Sequence, residues 1–153
     1  MCSLCKCNTG CWLTIINLVL KRVGEHDRSL RYLRRAVKIR ESALGRYHPT
    51  TAICYNNIGS VLMLRGEYDK SLASLHRSLT IRLSTLGNRH PDTALSYFNL
   101  GRVLAKSGNY GSAFDFYNRA LEIEEAVLGR NHPRTEATRN FVSGQYTHFA
   151  PAA

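Results

Sequence analysis

Two stretches decide the architecture: HPTTAICYNNIGSVLMLRGEYDKSLASLHRSLTIRLSTLG at residues 48–87, and HPDTALSYFNLGRVLAKSGNYGSAFDFYNRALEIEEAVLG at residues 90–129. Laid over each other with an offset of 42 residues, the windows 48–89 and 90–131 agree at 16 of 42 positions without a gap. Chance would give only a few, so the chain is an internal repeat, and a fixed period of this length belongs to stacked supersecondary units. The register extends outward. Leu-Gly recurs at 44–45, 86–87 and 128–129, and His-Pro at 48–49, 90–91 and 132–133.

Within a unit the pattern has two helical parts. Ala52, Tyr55, Ile58, Gly59 and Leu62 follow the three-and-four spacing of one helix face, and Gly66 interrupts it in Arg65-Gly66-Glu67-Tyr68. Leu72, Leu75, Leu79 and Leu86 then carry a second helix to Gly87, a natural left-handed cap. Pro49, Pro91 and Pro133 suit the first turn of each following helix, where no N–H is needed. Each unit is therefore a helical hairpin. Gly59 and Gly101 in mid-helix should each cost about 1 kcal/mol relative to Ala, which points to close helix approach. Small residues at Ser71 and Ser78, matched by Ala113 and Ala120, would leave gaps for large side chains of a neighbouring helix.

The order of Tyr, Gly, Leu, Gly, Tyr, Ala and Ala resembles the tetratricopeptide repeat, whose usual unit is about 34 residues. The extra eight fall in a longer second helix and the Leu-Gly-x-x-His-Pro connection. That longer unit, with its Asn-bearing first helix, Gly-x-Tyr turn and RALEI string, is similar to the 42-residue repeats of kinesin light chains over roughly residues 18–142. The resemblance implies an all-α fold: a right-handed superhelical array, or solenoid, of antiparallel helix hairpins, with about three repeats and a C-terminal capping helix. The expected boundaries are a poorly ordered Cys-rich segment at 1–9, a degenerate first repeat at 10–47, repeats at 48–89 and 90–131, a partial repeat or cap at 132–149, and a tail at 150–153. In the degenerate repeat Leu13, Ile16 and Leu20 keep the apolar face of the first helix.

With 153 residues, 44% hydrophobic and 21% charged, the composition is that of one ordinary folded domain. The net charge of +10 favours acidic partners. The longest apolar run, Trp12 to Leu20, falls short of the roughly 18 to 20 residues a membrane span needs, and no signal-peptide cleavage pattern follows it. The expected location is cytoplasmic.

In a stacked array the first helices line the inner surface. The candidate groove residues are Ile53, Asn56, Asn57, Ser60 and Leu64 in one repeat, and Leu95, Phe98, Asn99, Arg102 and Lys106 in the next, with Lys21 contributing from the first. An Asn side chain offers donors and acceptors together and can bond an extended peptide backbone whatever its side chains. The bland alternative is that Asn57 and Asn99 tie neighbouring helices together. The kinesin light chain resemblance implies a short cargo peptide, acidic with a Trp or Tyr, to which Lys21, Arg102 and Lys106 would supply complementary charge. Phe98 stands where that family usually has Asn, and no heptad coiled coil is present.

Other features carry less. Arg28, Arg31, Arg34, Arg35, Lys38 and Arg40 lie on the second helix of the first unit and are expected as a solvated outer face. They also define the alternative function, an electrostatic binder of RNA or acidic membrane, although a nucleic-acid partner is disfavoured because helical-hairpin repeats that read nucleic acid use a unit nearer about 35 residues, whereas this period is 42. Cys2, Cys5, Cys7 and Cys11 lack the paired spacing of zinc knuckles, and His48, His90 and His132 punctuate the repeats, so no metal and no cofactor is expected. Glu122, Glu124 and Glu125 are read as solvent-facing, and no motif for catalysis appears. The sequence predicts a non-enzymatic protein-interaction module, with a fragment of a longer scaffold and self-association through open array ends as further options.

Overall fold

A computed structural model describes the backbone of residues 23–149 and the side chains of 23–144. Lys21, the four N-terminal cysteines, the first helix of the degenerate repeat and the 150–153 tail lie outside the described residues. The described chain forms six helices: α1 (His26–Leu44), α2 (Pro49–Leu64), α3 (Tyr68–Leu86), α4 (Pro91–Lys106), α5 (Tyr110–Leu128) and α6 (Pro133–Phe149). No strand occurs among the described residues, so this is an all-α array of helical hairpins. None of these helices is long and apolar enough to cross a membrane. Two compact units divide the chain, one ending at Thr85 and the other beginning at Leu86.

The repeated His-Pro pairs start helices. The Nδ1 of His48 accepts from the Thr50 amide at 3.2 Å, that of His90 from Asp92 at 3.0 Å, and that of His132 from Arg134 at 3.2 Å. Each satisfies one of the amides a helix start leaves unpaired. The Pro that follows has no amide to satisfy. At the other end, Gly45 and Gly129 end α1 and α5 with φ of 92° and 88° but extended ψ of 159° and 161°. This lies outside the left-handed helical region, in territory open essentially to glycine alone.

In the first unit Leu30, Leu33, Ala36 and Val37 of α1 pack against Ala52, Tyr55, Ile58, Val61 and Leu62 of α2 and Ile81 of α3. Ser71 and Ser78 are fully buried and donate to the carbonyls of Gly59 at 2.6 Å and Ala52 at 2.8 Å. The small residues admit the backbone of the facing helix, not the large side chains expected, and the serine hydroxyls stay satisfied by bonding it. Arg28, Arg31, Arg34, Arg35 and Lys38 are exposed as expected, but Arg40 is not. Only 7% exposed, it donates to the Thr50 carbonyl at 2.6 Å and to Cys54 Sγ at 3.0 Å, tying α1 to the start of α2. Five cations along one helix disguised a sixth that points inward.

The second unit is built on Ala94, Tyr97, Leu100, Val103, Ala113, Tyr117, Ala120 and Val142. Tyr117, Phe98 and Phe141 form an aromatic trio, with ring centroids 5.4 Å apart for Phe98–Tyr117 and Phe98–Phe141 and 4.9 Å for Tyr117–Phe141. This trio joins α4, α5 and α6. Glu124 corrects the reading of an acidic solvent face. It is 1% exposed and accepts from Arg134 Nε at 2.6 Å, while Arg134 Nη2 donates to the Pro91 carbonyl at 2.6 Å.

Glu125 lies nearer the surface, where the hydrogen bond from Arg139 at 2.6 Å, opposed by partial desolvation and aided by the charges of Arg130 and Arg139, holds its carboxyl below the ordinary value of 4.5. A depressed folded-state pKa contributes stability that is present above the unfolded value and lost as pH falls through the folded one. Thermal melts between neutral and acid pH should therefore show Glu125→Gln losing less stability than the natural chain below about pH 4.5. An unchanged acid dependence would show that this ion pair does not stabilise α6 on α5.

Candidate functional site

The predicted residues form the same stripe twice. On α2, Ile53, Asn57, Ser60 and Leu64 share one face at spacings of four, three and four. One period later Leu95, Asn99, Arg102 and Lys106 share the corresponding face of α4. In the first unit the apolar ends of the stripe are open, with Ile53 40% and Leu64 49% exposed, while Asn57 is half-buried and Asn56 and Ser60 are buried. Exposed apolar side chains thus bracket polar ones. In the second unit Lys106 is exposed, Leu95, Phe98 and Arg102 are half-buried, and Asn99 is buried. Arg102 Nη1 donates to Asn99 Oδ1 at a long 3.4 Å, and Phe98 packs against Tyr117 and Phe141.

Below the α4 stripe is a cavity of about 450 Å³ lined by Arg102, Ala105 and Lys106 of α4, Tyr110 and Tyr117 of α5, and Phe141 of α6. No carboxylate lines it among the described residues. Its floor contains Tyr117, 1% exposed, whose hydroxyl has no hydrogen-bond partner among the described residues. Burial pushes this phenol's pKa well up, against the smaller opposing pull of Arg102, so the hydroxyl remains a donor. A buried hydroxyl without a partner is disfavoured by about 1–3 kcal/mol. Two cations, an unsatisfied donor and three aromatic rings suit a carboxylate or carbonyl beside an apolar group.

Sequence reasoning placed Arg102 and Lys106 here but missed Ala105, Tyr110, Tyr117 and Phe141. A signal existed. Tyr117 stands where the preceding repeat has Leu75, and Phe141 stands in the series Asn57, Asn99, Phe141. A phenol replacing leucine at a core position brings a hydroxyl that needs a partner.

The family follows from the repeat and its hairpins. A tetratricopeptide-repeat family model matches residues 16–64 and 55–126, and the chain belongs to that family. Its 42-residue units share their fold with a kinesin light chain-like protein of Podosopora anserina with nearly identical repeats, at 19% identity and a TM-score of 0.78, covering 88% of this chain and 64% of that one. The apo form of RapI aligns at 21% identity and a TM-score of 0.73, covering 93% of this chain and 51% of that one. A tetratricopeptide-like protein of Chlorobium tepidum aligns at 16% identity and a TM-score of 0.74, covering 97% and 98%. The chain spans just under two thirds of the kinesin light chain-like protein and about half of RapI. Curated proteins give no significant match.

Proposed function

We propose that the chain is a non-catalytic protein-interaction module of the cytoplasm that holds an extended segment of a partner on its first-helix faces. The observation that supports this reading most is the cavity under Arg102 and Lys106 with the unsatisfied Tyr117 hydroxyl at its floor. The favoured ligand is an acidic peptide with an aromatic residue, its carboxylate on Arg102 and Lys106 and its main chain on the amide of Asn99 in the second unit, while Asn57 offers the equivalent amide on the stripe of the first. Lys21 would add charge from the preceding repeat, and the open ends of the array would offer a route to self-association.

Tyr117→Phe separates binding from packing. Removing an unsatisfied buried hydroxyl while keeping the ring should leave stability unchanged or raise it by about 1 kcal/mol, and the same change should weaken binding of an acidic aromatic peptide by about threefold to tenfold. Fluorescence titration with the peptide and with a copy whose acids are amides would read this, alongside an Asn57→Ala, Asn99→Ala, Arg102→Ala variant. Equal affinity for both peptides, or full affinity in the triple variant, would remove the groove reading. Steep salt dependence of RNA binding, indifferent to the triple variant, would favour the exposed arginines of α1 instead.

A further inference from the structure

The first unit carries a second cavity that the first-helix stripe does not use. It measures about 310 Å³, and its lining includes Glu41, Arg46 and Tyr47 from the end of α1 and the turn after it, Tyr55 of α2, and His76 and Arg77 of α3. At 100° per residue, Tyr55 stands on the far side of α2 from Ile53 and Asn57, so this is a separate face.

The charges in it are unevenly used. Tyr55 is 9% exposed, and its hydroxyl donates to Glu41 Oε1 at 2.9 Å and accepts from Arg77 Nη1 at 3.3 Å. Burial first, and then the bond to Glu41, raise the Tyr55 pKa, which keeps that donor in place. Glu41, the only carboxylate among the described residues of the lining, is thus already engaged. The Arg77 guanidinium lies over the Tyr55 ring, 5.2 Å from its centroid, which fixes its plane while leaving most of its five N–H donors uncommitted to the tyrosine. Arg46, exposed, also lines the cavity, and Tyr47, 60% exposed, follows it in the chain.

The repeat supplies an internal control. The stacked pair recurs one period on, with the Arg119 guanidinium 5.3 Å from the Tyr97 centroid, so ring and guanidinium together belong to the scaffold. Four of the other lining positions differ: Glu41, Arg46, Tyr47 and His76 become Leu83, Asn88, Arg89 and Asn118. In the first unit the scaffold pair is accompanied by a second cation, an exposed ring and an imidazole, whereas one period on a cation returns as Arg89 in place of the ring and the imidazole becomes Asn118.

We propose that this cavity recognises a phosphate monoester carried on an aromatic ring, the phosphotyrosyl side chain of a protein partner, with Arg46 and Arg77 on the phosphate and Tyr47 against the ring. Two guanidinium forks suit the oxygens of a dianion. A space of this size exceeds a phosphate group and accommodates the ring as well. Phosphorylation of the partner would thereby switch a contact made outside the proposed peptide face.

Calorimetry on the 153-residue chain with phenyl phosphate, inorganic phosphate and benzoate tests this. Phenyl phosphate is expected to bind at least about tenfold more tightly than either of the others, and Arg46→Ala and Arg77→Lys should each weaken it by about tenfold. Arg77→Lys keeps the charge but loses the fork, and Arg46→Ala alters an exposed side chain, so a folded variant is available if Arg77 proves essential to packing. The Asn57→Ala, Asn99→Ala, Arg102→Ala variant should bind phenyl phosphate normally, which separates this site from the peptide face. Benzoate binding as tightly as phenyl phosphate, or affinity that survives Arg46→Ala, overturns the proposal. A uridine oligonucleotide bound more tightly than phenyl phosphate, and lost on Arg31→Ala with Arg35→Ala, would overturn it in favour of RNA.

Discussion

Arg134→Ala is expected to destabilise the chain by about 3 kcal/mol, the lower end of the range for breaking a buried ion pair because the arginine is partly exposed. Glu124 is 1% exposed against 30% for the Arg134 side chain, so the substitution strands the more buried member. One of its oxygens, Oε2, has no partner among the described residues even in the natural chain, and the Pro91 carbonyl loses the arginine donor as well. The reciprocal change Glu124→Ala should cost less, since the stranded arginine can turn its charge toward water. Urea denaturation of both variants gives the comparison. Equal losses, or a loss below about 1 kcal/mol for Arg134→Ala, would mean the pair is solvated in solution and adds little.

The chain also suggests a repair. Positions 40, 82 and 124 are equivalent in the repeat and read Arg, Arg, Glu, while 50, 92 and 134 read Thr, Asp, Arg. In the first unit the buried Arg40 donates to a main-chain acceptor, the Thr50 carbonyl, and to Cys54 Sγ. The double variant Glu124→Arg, Arg134→Thr imports that arrangement and should recover more than half of the loss caused by Arg134→Ala, because every charge again has an oxygen partner. The last described hairpin has exchanged the two charges, and the exchange links α6 to α5 through side chains.

Gly101→Val should be comparably damaging. A Cβ at Gly101 would lie 2.7 Å and 2.8 Å from Cε1 and Cδ1 of Tyr117 and 3.0 Å from the Ala113 carbonyl. The ring cannot retreat freely, being packed against Phe98 and Phe141, and the carbonyl belongs to the α5 backbone. Overpacking of this kind costs about 1–3 kcal/mol. Better helix propensity offsets about 0.5 kcal/mol of it for valine and about 1 kcal/mol for alanine. A branched side chain adds a second clash, so the valine variant should lose about 2–3 kcal/mol and Gly101→Ala less. Gly59→Ala is the contrast. Its nearest neighbours are Leu75 Cγ at 2.6 Å and Cδ2 at 2.8 Å, on a side chain that can change rotamer, and the Ser71 carbonyl is farther away at 3.3 Å. Thermal melts of the two alanine variants should rank Gly101→Ala below Gly59→Ala, and the reverse order would show that Tyr117 moves more easily than Leu75. Because Tyr117 is also the cavity floor, Gly101→Val should weaken acidic-peptide binding too.

The helical hairpins were legible because their signals are local and repeated. His48-Pro49 and its two copies mark helix starts through bonds between residues two apart, and Gly45, Gly87 and Gly129 mark the ends. Mid-helix glycines at 59 and 101 announced close approach, although the approaching group turned out to be backbone as much as side chain. The candidate site was less legible. The stripe spacing on α2 and α4 could be counted along the chain, but burial could not, so Asn56, Ser60 and Asn99 stood beside Ile53 and Lys106 as equals. Arg40 and Glu124 were read as surface charges because charged residues rarely occur fully buried. Their partners, the Thr50 carbonyl and Arg134, lie ten residues away across a turn, and that pairing exists only once the hairpin closes.

The amino-acid sequence by itself determined the period, the helices and their ends, and through them the family, because each rests on spacings of a few residues copied from one unit to the next. Only the tertiary structure decided which side chains lose their water. It placed an unsatisfied tyrosine beneath two cations in one unit and set Arg46 and Tyr47 beside a stacked Arg77 in the other. Both cavities join residues from three helices, and burial and charge pairing depend on that convergence, which the spacing along any one helix does not encode.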